Sequence, residues 1–210
     1  AQATERTRML VAVAHDLRTP LTGLRIRVES APPDARQRMV ADIDRMTGMI
    51  RQVLDYARGV HAQGACERID VGALVAASIE DAVARGGRVG WMPPAAPVWV
   101  DADPDALRRA FDNLIDNALR YGESAAVSLQ VRAHSALVCI RDTGPGIPVE
   151  DVPRLRQPFE RGEPSRSRHT GGLGLGLAIA HDVVARHRGA LRLRNVADGG
   201  LEVEVELPLA

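Results

Sequence analysis

Residues 103–122 read DPDALRRAFDNLIDNALRYG, and this stretch decides the fold. Asp103 before Pro104 is a helix-start signal, an N-cap followed by proline at the first helical position. Apolar residues then recur at helical spacing through Ala118, and Gly122 stands where the helix must end. Asn113 and Asn117 are four residues apart, so both amides share one face. Their carbonyls are hard oxygen ligands of the kind Mg²⁺ accepts while keeping waters and phosphate oxygens. Arg120 and Tyr121 follow at that face's edge, one suited to pair a phosphate and the other to cover a base or ribose. The plainer alternative is an amphipathic helix with two surface asparagines.

Working outward, the flanking segments alternate between strand and helix patterns. ERIDV from Glu67, RVGWM, PVWVD, AAVSLQVRAH, SALVCIRD, GALRLRNV and GLEVEVELPL read as strands. VGALVAASIEDAVAR and LGLAIAHDVVARHRG read as helices, the second closed by Gly189. The turn-forming ADGG joins the last two strands into a hairpin. Helices mixed with antiparallel strand pairs predict an α+β two-layer sandwich over residues 67–210.

The first 60 residues differ. Leu10, Ala14, Leu17, Leu21, Leu24 and Val28 form a heptad seam. SAPPD (Ser30–Asp34) interrupts it, because two prolines cannot continue a helix. A second seam runs through Met39, Ile43, Met46, Ile50, Val53 and Ala57. The spacing predicts an α-helical hairpin over 1–60 and a linker over 61–66. Two such hairpins paired into a four-helix bundle bury both seams. The alternative is one hairpin docked on its own second domain.

Composition narrows the chemistry. Of 210 residues 45% are hydrophobic but only 3% aromatic, so aliphatic side chains must fill the core. The formal net charge is +0, which offers no electrostatic reason for nucleic-acid binding. No apolar run approaches the length that crosses a bilayer, and no signal peptide is visible. Cys66 and Cys139 follow no metal or disulfide pattern and suggest a reducing compartment. All 27 basic residues are Arg. A P-loop and a Ser/Thr/Tyr kinase each need a lysine on the phosphates, so any nucleotide pocket here is built another way.

Three further segments supply candidates. Asp142 ends an apolar strand before TGPGIP, where a carboxylate in a pocket can accept from an exocyclic amino group. Gly144 and Gly146 would let backbone approach a flat ring, though the same residues also suit an ordinary tight turn. Gly172, Leu173, Gly174, Leu175 and Gly176 lead into the last long helix, whose N-terminus favours anions. Between these, Phe159, Arg161, Arg166 and Arg168 fit a lid over phosphates or a loop of solvated arginines. Near the start, His15 flanks the first seam, Asp16 can bond its ring, and Thr19 lies one turn on. A helical His-Asp pair by itself is ordinarily a solvated pair.

Together the segments resemble the bacterial two-component sensor histidine kinases of the HisKA type. AHDLRTPLT resembles the H-box, DNLIDNALRYG the N-box, RDTGPGIP and GGLGLGLAIA the two G-boxes, and RQPFERG the F-box. HDLRTPLT and the PF-x-RG lid are especially similar to the osmosensor-like subgroup. The resemblance covers nearly the whole chain. It implies a dimerisation and phosphotransfer hairpin followed by an ATP-binding domain of the GHKL (Bergerat) fold. It implies His15 as phosphoacceptor, Asp16 as its helper and Thr19 as the residue that orients water for dephosphorylating a partner. It implies ATP and Mg²⁺, with Asn117 on the metal, Asn113 nearby, Asp142 on the adenine amino group, Gly146 shaping that pocket, and Gly172, Gly174 and Gly176 bordering the phosphates. The partners implied are a second copy of the chain and the receiver domain of a response regulator. The setting implied is the cytoplasmic portion of an inner-membrane sensor, with any membrane contact through segments outside this chain. Two positions depart from the usual pattern: Leu173 stands for a Thr, and Arg120 for a Lys. Two other readings stay open, an ATPase of the same fold acting as a conformational clamp and a non-catalytic dimeric scaffold.

Overall fold

The structure is a computed structural model and describes residues 17, 20–28, 31–61, 64–148, 151, 155 and 174–210. Residues 20–28 form α1 and α2 spans Pro33–His61; of the predicted break Ser30–Asp34, Ala31 and Pro32 are non-helical, whereas Pro33 and Asp34 open α2, where proline is tolerated at the first position. Arg25 and Asp44 pair across the hairpin at 2.8 Å, both well exposed, so the pair adds little stability.

The second part is a two-layer sandwich, as the strand and helix patterns predict. Its strands are β1 Glu67–Asp70, β2 Val89–Met92, β3 Trp99–Ala102, β4 Ala125–Val131, β5 Ser135–Asp142, β6 Ala190–Asn195 and β7 Leu201–Pro208. Its helices are α3 Val71–Ala84, α4 Pro104–Tyr121 and α5 Gly176–Arg186. The five-stranded sheet has the order β2-β4-β5-β7-β6, and β1 pairs with β3 in a separate two-stranded sheet. Within the large sheet only β2 and β4 run parallel; the other pairings are antiparallel.

Period-two alternation explains the layering. Val203, Val205 and Leu207 of β7 are buried with Ala136, Val138 and Ile140 of β5 against the helices. The intervening Glu202, Glu204 and Glu206 face outward and bind β6, where Arg192 reaches Glu206 at 2.7 Å and Arg194 pairs with Glu202. Leu107, Phe111, Leu114 and Ile115 of α4 are almost wholly buried, so α4 is the spine of the core. Arg108 ties α4 to α3 by bonding Asp81 at 2.5 Å and the Ala77 carbonyl at 2.9 Å.

The start of α4 is the junction of three segments. Asp103 caps the helix as predicted, its Oδ1 accepting from Ala106 N–H at 3.0 Å. Its Oδ2 accepts from Gly64 N–H of the linker at 3.1 Å, and its own N–H donates to His187 Nε2 at 2.9 Å. Because Nε2 accepts, the ring proton sits on Nδ1 and donates to the Val183 carbonyl at 2.8 Å, which defines a neutral tautomer.

One helix end differs from its expected form. The residue of left-handed conformation after α5 is Arg188, φ 58°, not Gly189. Gly189 is needed for space instead, since a Cβ there would lie 2.4 Å from the Glu206 carbonyl.

The hairpin seam divides by position. Leu21, Val28, Ile43 and Ile50 are buried within the chain, whereas Leu17, Leu24, Met39 and Met46 remain exposed. Each set repeats every seven residues, so among these described positions one set is used internally and the other is left over, while Leu10 and Ala14 lie outside the described residues. Val53 packs both on the hairpin cluster and on the sandwich core, and α2 lies against α5. Among the described residues no helix is long and apolar enough to cross a membrane.

Ser78 of α3 is 1% exposed, and its hydroxyl has no hydrogen-bond partner. A buried unpaired hydroxyl is destabilising, so Ser78→Ala should raise stability by about 1 kcal/mol in urea unfolding. A loss of stability would mean that the hydroxyl is satisfied in solution.

Candidate functional site

Helix α4 carries Asn113, Asn117, Arg120 and Tyr121, and Gly144 and Gly176 pack beside it. Asn113 and Asn117 face the beginning of α5. A Cβ on Gly176 would lie 3.2 Å from both Asn113 Oδ1 and Asn117 Nδ2. Asn113 Nδ2 donates to the Arg109 carbonyl at 2.8 Å, which turns its Oδ1 away from its own helix. Among the described residues neither amide oxygen has a hydrogen-bond partner.

Among the described residues no side chain caps the N-terminus of α5. Its N-cap, Leu175, makes no side-chain cap bond, and no acidic residue occupies the first turn. Free first-turn N–H groups together with the helix dipole attract an anion. Gly174, φ 70°, turns the chain into this helix in a conformation that favours glycine. Leu175 itself is fully buried in the core, so only its backbone borders the site and its side chain anchors the turn.

About two turns further along α4, at the edge of that face, lies Tyr121, about half exposed, at roughly 12 Å of helix rise from Asn113. Its carbonyl abuts the loop after β5, where a Cβ on Gly144 would come within 2.5 Å of it. Arg120 falls in the last turn of α4, where a cation also complements the helix dipole.

Asp142 is 6% exposed at the end of β5. Its Oδ1 accepts from Gly144 N–H at 2.8 Å and from Leu201 N–H at 3.1 Å, while Oδ2 has no partner among the described residues. The two backbone donors compensate the cost of burying the carboxylate and leave one oxygen as an oriented acceptor. Asp142 lies beside the C-terminal end of α4, where Gly122 and Gly144 pack on it, and the two amides face the start of α5 near the middle of the same helix. A partnerless carboxylate oxygen suits an exocyclic amino group, and a helix N-terminus beside two amides suits phosphates.

His15, Asp16, Thr19, Gly172, Leu173, Phe159, Arg161, Arg166 and Arg168 lie outside the described residues. Three contributors carry no motif and are missed by sequence reasoning. Asn195 bonds the backbone of Ile147 through both atoms of its amide, Leu201 holds Asp142, and Gly200 packs on the Asp142 carbonyl. The paired glycines of ADGG, read only as a turn, were the available signal for the last of these.

The class of this sandwich follows from its family match. Residues 102–210 match the family described as "Histidine kinase-, DNA gyrase B-, and HSP90-like ATPase", and residues 5–61 match "His Kinase A (phospho-acceptor) domain". The chain belongs to the sensor histidine kinases and carries their phospho-acceptor and ATP-binding domains. It is 34% identical over 205 residues to the sensor histidine kinase GtrS of Pseudomonas aeruginosa, covering 97% of this chain and 42% of that protein. Its fold is similar to that of full-length ShkA solved in complex with AMPPNP, with a TM-score of 0.71, 24% identity, and coverage of 97% of this chain and 46% of that one. It is also similar to the histidine kinase domain of the E. coli osmosensor EnvZ, at 31% identity and a TM-score of 0.53, covering 71% of this chain and 92% of that one. The chain spans about half the length of the curated relatives it matches.

Proposed function

We propose that the chain is an autokinase whose residues 67–210 present ATP to His15 within residues 1–60, with 61–66 as the linker between them. The observation that carries this reading is the meeting of Asn113, Asn117 and Gly176 at an uncapped helix N-terminus, in one chain with HDLRTPLT. Asp142 Oδ2 accepts from the adenine amino group, Gly144 and Gly146 border the ring, and Tyr121 covers the base or ribose. The N–H groups opening α5, with Gly172, Leu173 and Gly174 before them, face the phosphates, and Arg120 adds positive charge. Asn117 and Asn113 fit a Mg²⁺ ion, since both offer a neutral hard oxygen that has no other partner among the described residues. The ion would neutralise charge on the phosphates.

A neutral ring nitrogen of His15 forms a bond to the γ-phosphorus as the bond to the ADP oxygen breaks, and the other ring nitrogen releases its proton. Asp16 favours the tautomer that leaves the attacking nitrogen bare. The phosphoryl group then passes to a carboxylate on a response-regulator receiver domain, and Thr19 orients water for the reverse dephosphorylation. The exposed half seams, Leu17 with Leu24 and Met39 with Met46, support pairing of two hairpins into a four-helix bundle. The resemblance supports a cytoplasmic setting in a larger membrane-bound sensor.

A time course with γ-labelled ATP and Mg²⁺ tests the reading against the conformational-clamp alternative. Label should accumulate on the protein, acid-labile and base-stable, in step with the ADP first formed. Continuous ATP hydrolysis with no label on the protein would overturn the autokinase.

A further inference from the structure

The β6–β7 hairpin contains none of the recognised motifs, yet it grips the loop after β5 at both ends. Asn195, the last residue of β6, forms a two-bond ring with the peptide of Ile147: its Oδ1 accepts from Ile147 N–H at 2.9 Å and its Nδ2 donates to Ile147 O at 2.6 Å. Reversing the amide would set donor against donor and acceptor against acceptor, so its orientation is determined. At the opposite end of the turn, Leu201 N–H donates to Asp142 Oδ1 at 3.1 Å. The segment from Asp142 to Ile147 is thus held at its first and last residues by one hairpin.

Between these grips Gly146 adopts φ 73°, and a Cβ there would lie 2.6 Å from Asn195 Oδ1. Gly146 is therefore bounded by Asn195 as well as by any ligand. Asn195 is exposed, and net hydrogen-bond energies at exposed positions are small, so this ring contributes little to global stability. Its effect is local. It orders a loop that would otherwise have to be ordered when a ligand binds, and preordering raises affinity.

We propose that Asn195 is a positioning residue for the adenine end of the nucleotide site, acting through Ile147 and Gly146 to set ATP affinity and base preference. The proposal rests on the assignment of Asp142 to the adenine amino group. Asn195→Ala in the full chain should leave the melting temperature nearly unchanged and abolish exchange protection of the Ile147 amide. It should raise half-saturating ATP about tenfold, the factor expected when an ordering bond or two is lost, while the autophosphorylation rate at saturation stays within about twofold. The preference for ATP over GTP should narrow. Asn195→Asp, which keeps the acceptor but sets a carboxylate against the Ile147 carbonyl, should reproduce the weakening. Arg194→Ala removes the outward ion pair to Glu202 from the same strand and should change none of these values.

Unchanged half-saturation and base preference in Asn195→Ala, with Ile147 deprotected, would overturn the positioning role. An equal rise in Arg194→Ala would overturn it too, by showing general loosening of the hairpin. Failure of the wild-type chain to bind any adenine nucleotide would instead defeat the site assignment itself, and the proposal with it. Titrating the wild type in the same series separates that result from the other two.

Discussion

Asp142→Asn should weaken ATP binding roughly a hundredfold while leaving the fold intact. The asymmetry follows from how the carboxylate is held. Oδ1 accepts from Gly144 N–H and Leu201 N–H, so an asparagine must place its carbonyl oxygen there; the reverse orientation would face two backbone donors with a third. The amide nitrogen therefore takes the place of Oδ2, the atom without a partner. An acceptor aimed at the adenine amino group becomes a donor aimed at a donor. The lost bond is charge-assisted, and the ligand's amino group is left unpaired in a buried position. A fluorescence or calorimetric titration with ATP and Mg²⁺ checks the affinity, and a thermal melt within a few degrees of wild type checks the fold. Undiminished ATP affinity in this variant would remove Asp142 from the base-reading role.

Gly200→Ala should be the most destabilising small substitution in the sandwich, by about 3 kcal/mol. Gly200 adopts φ 96°, which an alanine rarely tolerates, and its added Cβ would lie 2.0 Å from the Asp142 carbonyl oxygen and 3.0 Å from the carbonyl carbon. Both contacts are with backbone, so no rotamer change relieves them. The turn must back away from β5, which breaks the Leu201 bond to Asp142 and pulls on the Asn195–Ile147 ring. Nucleotide affinity should therefore fall together with stability. Gly199 provides the control. It shares a positive φ of 94°, but a Cβ there meets only the Gly144 carbonyl, at 3.9 Å. Gly199→Ala should show the conformational cost alone, about 1 kcal/mol. Urea unfolding of both variants measures the difference; equal losses would mean that the contact with Asp142 carries no energetic weight.

The sequence made α4 legible because everything that shapes it is local: the Asp103 cap, Pro104, the apolar face and the i, i+4 asparagines. The pairing of β6 with β7 was legible from the ADGG turn, and alternation in GLEVEVELPL tells which residues face the helices, but the strand order was not legible. The grips on the adenine-end loop were not. Asn195 and Ile147 are 48 residues apart, and Asp103 and His187 are 84 apart. Such bonds depend on which strands and helices become neighbours, and no local periodicity encodes that. The heptad seams show the same limit. Spacing identified the apolar positions, but their division into Leu21 and Val28 inside, and Leu17 and Leu24 outside, required the hairpin's own geometry. The α5 terminus shows it too, because Gly189 looked like the helix-closing residue while packing against Glu206 made the glycine necessary and left Arg188 to take the left-handed turn.

If residues 67–210 present ATP to a histidine of the hairpin, the phosphoryl group must be found on His15. The sequence contains 6 histidines, and cleavage after arginine releases the segment from Met9 to Arg18 with His15 as its only one. The most direct measurement is to incubate the chain with ATP and Mg²⁺, digest it at neutral or alkaline pH, and locate the phosphoryl group by fragmentation mass spectrometry. One phosphoryl group should be found on His15 in that segment and none on the other histidines. Phosphate on a different residue, or an unmodified Met9–Arg18 segment while ATP is consumed, would contradict it.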